Sequence, residues 1–279
     1  MCFCYIILNF YVIILTMKVI KLQNVGFSYG NDKKSFMLSG INFGINACEH
    51  IAISGETASG KSTLLKLICG VLRPTEGSIE IASVDTKSVN VAVVFQNPDN
   101  CFVSSIVPED VMFGLINIGY NRKEASSIAQ QMLFEVGLDK YINAEISTLS
   151  GGQKQKLALI NALVLNPKIL VLDECTSMLD SESAKEIFDT VLKYQKERNF
   201  AIINITKNYD EIKKSDKVMV LSSGKIECYD TPNIAFQKCE YLKELAPFFE
   251  NLKQEYVSLG LNLNSENMTI KEMLKCVLN

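Results

Sequence analysis

The sequence has one histidine, His50, in 279 residues, and its nine cysteines form no CxxC pair. That excludes the usual Cys/His zinc sites and a disulfide scaffold, leaving reduced thiols that act as small apolar residues. No basic excess exists either: 28 Lys and Arg stand against 31 Asp and Glu, a net charge of −3. A global positive field for nucleic acid is therefore absent, and an anionic ligand needs a local site. Neither a tandem repeat nor a low-complexity linker is visible. No run reaches the roughly 20 apolar residues of a membrane span. The uncharged stretch Met1 to Thr16, apolar from Tyr5 to Leu15 except at Asn9, falls short by about a turn. It lacks the basic leader and cleavage site of a signal peptide. Residues 1–16 thus read as a mis-assigned start preceding Met17, a membrane-surface tag, or an extra strand. What is present, 48% hydrophobic and 21% charged residues, suits a packed fold of one large or two modest domains.

From Val19 the chain reads as short β-branched runs between turn residues. Val19–Leu22 and Val25–Tyr29 predict two strands, with a turn at Gly30-Asn31-Asp32. Ile41–Ile45 alternates as a half-buried strand does, and His50–Ser54 is a continuous apolar strand running into Gly55. A helix is expected from Ser62 to Leu72, stopped by Arg73-Pro74. Val91–Phe95 and Ile169–Leu172 are further buried strands. Between about Pro98 and Leu149 the pattern is mostly helical, clearest from Asn121 to Gly137. Beyond Ile226 the chain is expected to turn helical, with Thr231-Pro232 as a helix start. A strand core interrupted by a helical block and then resumed predicts an α/β domain with a helical insertion.

Gly55-Glu56-Thr57-Ala58-Ser59-Gly60-Lys61-Ser62, followed by Thr63, matches G-x-x-x-x-G-K-[ST] after a strand and before a helix. Its glycines let backbone N–H groups turn toward phosphates, and the helix start adds its positive dipole end. Lys61 supplies a charge near the β/γ bridge, and the Ser62 hydroxyl can ligate Mg²⁺. Ile169-Leu170-Val171-Leu172-Asp173-Glu174 is a strand ending in two carboxylates, placed where an α/β sheet binds its ligand. Asp173 suits the metal and Glu174 the general base. These residues predict a nucleoside triphosphate site.

Leu149-Ser150-Gly151-Gly152-Gln153 resembles the signature of ATP-binding-cassette (ABC) ATPases and precedes the acid-bearing strand, as in that family. The resemblance spans about Val19 to Asp230. It implies that Ser150, Gly151, Gly152 and Gln153 close on ATP held by a second subunit. It also implies that Tyr29 stacks on adenine, that Gln96 senses Mg²⁺ and the membrane partner, and that Ser177–Asp180 crosses a dimer interface. One position departs. The family places a histidine after the next strand, but Ile202-Ile203-Asn204-Ile205-Thr206 is followed by Lys207. Lysine can neutralise γ-phosphate charge but cannot accept a proton as a neutral imidazole can. His50 precedes the phosphate-loop strand and is expected to be structural.

The segment from Gln96-Asn97-Pro98-Asp99-Asn100 through Pro108 to Gly114 is similar to the energising subunits of energy-coupling-factor (ECF) importers, shared by cobalt- and nickel-type systems. Cys101 stands where those proteins often carry glutamine. The resemblance implies a P-loop NTPase (RecA-like) α/β core over residues 17–230, with an antiparallel β subdomain and a helical signature subdomain at about 98–152. A C-terminal helical extension at 231–279 follows. It implies ATP and Mg²⁺ as ligands. The implied partners are a second ATPase subunit, with a non-identical one favoured, a transmembrane coupling subunit and a substrate-binding membrane subunit. The implied location is peripheral, on the cytoplasmic membrane face, with a vitamin or transition-metal ion as cargo. Alternatives are the nucleotide-binding subunit of another ABC transporter and a hydrolysis-poor regulatory partner. A soluble ABC protein of DNA or ribosomes fits less well, lacking a long coiled-coil insertion or a second cassette.

Overall fold

The computed structural model describes residues 18–30, 37–82 and 88–247. The apolar leader, Asn31-Asp32 of the expected turn, and most of the C-terminal extension lie outside these residues.

Two sheets share the chain. The smaller is antiparallel, in the order β2-β1-β4, from β1 (Lys18–Phe27), β2 (Leu38–Asn46) and β4 (Glu76–Ile81). The larger has the order β5-β6-β7-β3-β8-β9, from β3 (His50–Ser54), β5 (Val91–Val94), β6 (Ile169–Asp173), β7 (Ala201–Ile205), β8 (Lys217–Ser222) and β9 (Lys225–Asp230). Its pairs are parallel except β8–β9, a hairpin. The central strands β3 and β7 are buried at every position, as continuous apolar runs dictate.

Helix α1 (Lys61–Ile68) follows β3 and packs with the small sheet on one face of the large one. On the opposite face, α2 (Val107–Asn117), α3 (Arg122–Glu135), α4 (Gly151–Leu163) and α5 (Ser181–Arg198) bury a second apolar cluster. A third cluster joins β8 to α6 (Tyr209–Lys213), α7 (Pro232–Lys238) and α8 (Glu240–Leu245). The sheets interlock at the β8–β9 turn. Gly224, at φ +75°, sits where a Cβ would come 2.3 Å from the Met37 carbonyl. Its N–H donates to the Ser59 carbonyl (3.1 Å), and its own carbonyl accepts from the Ser39 N–H (2.9 Å).

Three expectations change, and one strand was not expected. The two predicted strands at 19–22 and 25–29 are one irregular strand, β1, because both halves pair with β2 across register shifts. The α1 helix ends at Ile68, since Gly70 takes φ +72° before the predicted stop at Arg73-Pro74. Residues Ile226–Asp230 belong to β9 against β8 and are not helical, while the helix start expected at Thr231-Pro232 is borne out, with Thr231 as N-cap and Pro232 as the first helical residue. The unexpected strand is β4. His50 is structural as expected: it is buried, and neither ring nitrogen has a hydrogen-bond partner.

Candidate active site

Strands β5, β6, β7 and β3 are consecutive in the sheet and parallel, so their carboxyl ends share one edge. Gln96 follows β5, Asp173 ends β6 with Glu174 next, Lys207 follows β7, and Gly55 opens the loop after β3. Open α/β sheets bind ligands at such an edge. The four signals read separately in sequence are therefore neighbours.

The loop is built by close approach. Gly55 has φ +144°, and a Cβ there would lie 2.2 Å from the Leu221 carbonyl. Gly60 begins α1 without a side-chain cap, so no side chain competes for the first helical N–H groups. Glu56, Thr57 and Ala58 are exposed at the tip, while Ser59 and Thr63 are buried. The Lys61 ammonium donates to the Gly55 carbonyl (2.7 Å), the Glu56 carbonyl (2.6 Å) and Ser59 Oγ (3.4 Å). Ser62 is exposed beside it. Tyr29 is 60% exposed, its ring edge-on to Phe27 and its hydroxyl 3.2 Å from Thr63 Oγ1. A core role for that ring is excluded.

Charge is concentrated here. Burial pushes the Lys61 ammonium below the usual lysine range. Lys207 adds to that push, and Glu174 and Asp173 oppose it. Burial raises the Asp173 carboxyl, Glu174 raises it further, and Lys61 pulls it back. Two cations thus face two carboxylates. Lys207, exposed, borders a cavity of about 250 Å³ with Glu174, Ser177, Thr206 and Asn208. Glu174 holds φ +48°, a left-handed conformation costing about 1–2 kcal/mol in a non-glycine residue. Its N–H donates to the Ile205 carbonyl (2.9 Å), and its carbonyl accepts from the Ser177 hydroxyl (2.7 Å). Gln96 Nε2 donates to that same Ser177 oxygen (3.1 Å), tying the residue after β5 to the loop after β6.

Among the described residues no three His, Cys, Asp or Glu side chains converge as a metal site. The oxygens available from Ser62, Gln96 and Asp173 are hard donors, the set for an ion that keeps water and phosphate ligands. The half-buried Asp173 carboxyl, raised by its surroundings, would be relieved by a nearby cation. The residues fit Mg²⁺.

Ser150, Gly151, Gly152 and Gln153 lie elsewhere. Ser150 caps α4 in a reciprocal box: Gln153 N–H donates to Ser150 Oγ (3.4 Å), and Ser150 N–H to Gln153 Oε1 (2.9 Å). Gln153 Nε2 donates to Tyr141 (2.7 Å). None of the four hydrogen-bonds to the phosphate loop, the acids or Lys207. Asp180 caps α5 by accepting from the Ser183 N–H (2.9 Å), and Ser183 is also the residue facing Gly152. The site residues therefore form two patches, a complete phosphate-loop edge and a separate helix start beside Asp180.

The ABC transporter family profile matches residues 38–177, from β2 through the acids and the Ser150 cap. The chain belongs to the ABC transporter ATPases. Along 92% of its length it is 36% identical to the energy-coupling factor transporter ATP-binding protein EcfA1 of Clostridioides difficile, covering 97% of that protein. It is also 36% identical over 91% of its length to EcfA1 of Streptococcus agalactiae, covering 95% of that relative. Among solved structures, cbiO1 of Clostridium perfringens, part of the ABC transporter complex cbiONQ, superposes with a TM-score of 0.72. It is 28% identical, with 86% of this chain and 99% of that one covered. A dimeric ATP-binding cassette in a post-hydrolysis state, bound to ADP and Pi, gives 0.67 at 26% identity, covering 76% and 98%. The protein is an ATP-hydrolysing transport ATPase.

Several residues of this ABC ATPase had no sequence signal. Glu211 of α6 is buried and accepts from Thr176 Oγ1 (2.5 Å) and from Asn204 Nδ2 (2.9 Å), bracing the loops that carry Glu174 and Lys207. Ser54 Oγ donates to the Thr206 carbonyl (2.8 Å), joining the phosphate-loop strand to the Lys207 loop. Buried Gln155 donates to the Phe95 carbonyl (3.0 Å), fixing α4 to the residue before Gln96. A glutamine within the apolar face of α4 was the one hint in sequence.

Proposed function

We propose that this ABC ATPase energises an importer of the energy-coupling-factor type that takes up a vitamin or a transition-metal ion. Two chains pair head to tail at the cytoplasmic membrane face, each phosphate loop completed by the other's Ser150–Gln153. Attachment in this reading is peripheral, through membrane subunits; among the described residues no helix is long and apolar enough to cross a membrane. The observation that carries the reading is the division of the site into a phosphate-loop edge and a signature patch that shares no hydrogen bond with it. The names of the relatives support the transporter type.

Tyr29 stacks on the adenine with its exposed face. Backbone N–H groups from Gly55 to Thr63 surround the phosphates, and Lys61 turns from the loop carbonyls to the β/γ bridge. Ser62, Asp173 and Gln96 would hold Mg²⁺, which would supply positive charge to offset that of the phosphates. Glu174 orients the attacking water and takes its proton. Asp180 sits at the dimer seam. Lys207 balances γ-phosphate charge without exchanging a proton, so the site on this chain's own phosphate loop is the slower of two. A non-identical partner is favoured, because it confines the lysine to one site while this chain's intact signature completes the other.

The docking surface is the Gln96–Gly114 segment. Buried Asp110 accepts from the Val103 and Ser104 N–H groups (2.7 and 2.8 Å) and from Asn161, fixing the loop before α2. Beside it, Cys101, Val103, Phe113, Ile118 and Leu165 line a groove of about 340 Å³. The Asn161 Oδ1 atom is buried there without a donor. An apolar helix of the transmembrane subunit suits this groove.

Glu174→Gln tests the assignment. ATP binding should persist while turnover falls at least about 100-fold, and a closed dimer should accumulate on size exclusion. Unchanged turnover would place the base elsewhere.

A further inference from the structure

The Tyr241 hydroxyl of α8 donates to the Gly55 carbonyl at 3.0 Å, across 186 positions of sequence. That oxygen is also held by the Lys61 ammonium at 2.7 Å. Gly55 is buried, so its carbonyl cannot fall back on bulk water if both donors leave. Tyr241 is itself well anchored. Its neighbour Leu242 is fully buried against the β8 cluster, and Ser54 Oγ lies 3.5 Å from its hydroxyl.

Lys61 has three N–H donors, and all its bonds here are to the loop itself. Reaching a phosphate means releasing them. The Glu56 carbonyl belongs to an exposed residue where water can replace the ammonium, but the Gly55 carbonyl does not. We propose that Tyr241 is a positioning residue of the phosphate loop. Its hydroxyl keeps the Gly55 carbonyl satisfied when the Lys61 ammonium swings to a phosphate, so the loop holds its shape and the lysine is freed at lower cost. The inference rests on the phosphate-binding role proposed for Lys61. It also wires α8, and with it the C-terminal side of the chain, to the ATP affinity of the loop.

The test is calorimetric titration of the purified full chain with Mg·ATP, together with melting curves without nucleotide, for the native protein, Tyr241→Phe and Lys61→Ala. Tyr241→Phe keeps the ring and its packing, and without nucleotide Lys61 still holds the Gly55 carbonyl. The melting temperature should therefore move by less than about 2 °C, while the Kd for ATP rises about 10-fold, equal to about 1.4 kcal/mol. Adenosine, which cannot call on Lys61, should bind the native and Tyr241→Phe proteins alike. A Tyr241→Phe protein with native ATP affinity overturns the proposal, as does one with lowered melting temperature and native affinity, the mark of a strut. Native ATP affinity in Lys61→Ala is a different failure: it removes the phosphate-loop reading beneath the proposal.

Discussion

His50 lies between the sheet and α5, its ring 5.7 Å from Phe188, with both nitrogens buried and unpartnered. Burial lowers its pKa from 6.5 to about 4; the Lys214 backbone pulls weakly the other way without completing a hydrogen bond. In the unfolded chain the imidazole takes a proton near 6.5, whereas the folded protein refuses it until about 4. Across that window the unfolded state binds more protons. The stability held above pH 6.5 is therefore lost as pH falls toward 4. The difference, 6.5 − 4 = 2.5 pH units at 1.36 kcal/mol each, comes to about 3 kcal/mol. His50→Leu removes the titration and the two orphaned nitrogens together. Its stability at pH 7.5 should equal or exceed the native value by about 1 kcal/mol. Urea unfolding of both proteins at pH 7.5, 6.5, 5.5 and 4.5 isolates the contribution, because the titrations common to both cancel in the difference. The native protein should lose about 2–3 kcal/mol more than the variant between pH 7.5 and 4.5. Parallel pH profiles would refute the reasoning and mean that the folded protein lets this imidazole charge.

Lys207→His should raise turnover several-fold in the chain assayed alone, by restoring a group that can share a proton near Glu174. Robust activity that histidine does not increase would defeat the argument for a non-identical partner. Val103→Asp places a charge on a residue 66% exposed at the groove mouth; transport should fail while ATP affinity stays native, and surviving transport would move the docking surface elsewhere. Glu211→Ala strands the Thr176 and Asn204 donors in the core, so stability should fall by about 3 kcal/mol in denaturant titration. Glu211→Gln can still bond both partners and should retain most of that stability. Equal losses in the two variants would show that the bracing bonds do not matter.

Reading depth in the sequence followed how locally each feature is encoded. The β3 strand and its loop were legible because five apolar residues run straight into a glycine pattern with one mechanical purpose. Strand β4 was missed because its first three residues, Glu76-Gly77-Ser78, are polar or glycine and exposed, leaving only Ile79 and Ile81 as a signal, and pairing with β1 makes it a strand. Strand β9 was missed because the helical reading, correct from Thr231-Pro232 onward, was carried back to Ile226, where Lys225, Glu227 and Asp230 gave no hint of pairing with β8. The acids, Gln96 and Lys207 carried motif signals, yet only the strand order makes them neighbours. Glu211 and Tyr241 act across 35 and 186 positions, and nothing near them in sequence announces the partner.

The clasp at Gly224 gives the molecule a caliper. One jaw is the phosphate loop, held through the Ser59 carbonyl. The other is the small sheet that carries Tyr29, held through the Ser39 N–H, with Tyr29 itself touching Thr63. With the jaws fastened, the span between an aromatic face and a phosphate cradle is set before any ligand arrives. On the site reading proposed above, recognition would become a measurement of length. Inorganic triphosphate would fill one jaw, adenosine the other, and only a molecule with a base and a phosphate chain at the right separation would close on both. A side chain at Gly224 would disturb the gauge: at φ +75° and with a Cβ 2.3 Å from the Met37 carbonyl, either the turn or the Met37 backbone must shift, and the clasp loosens.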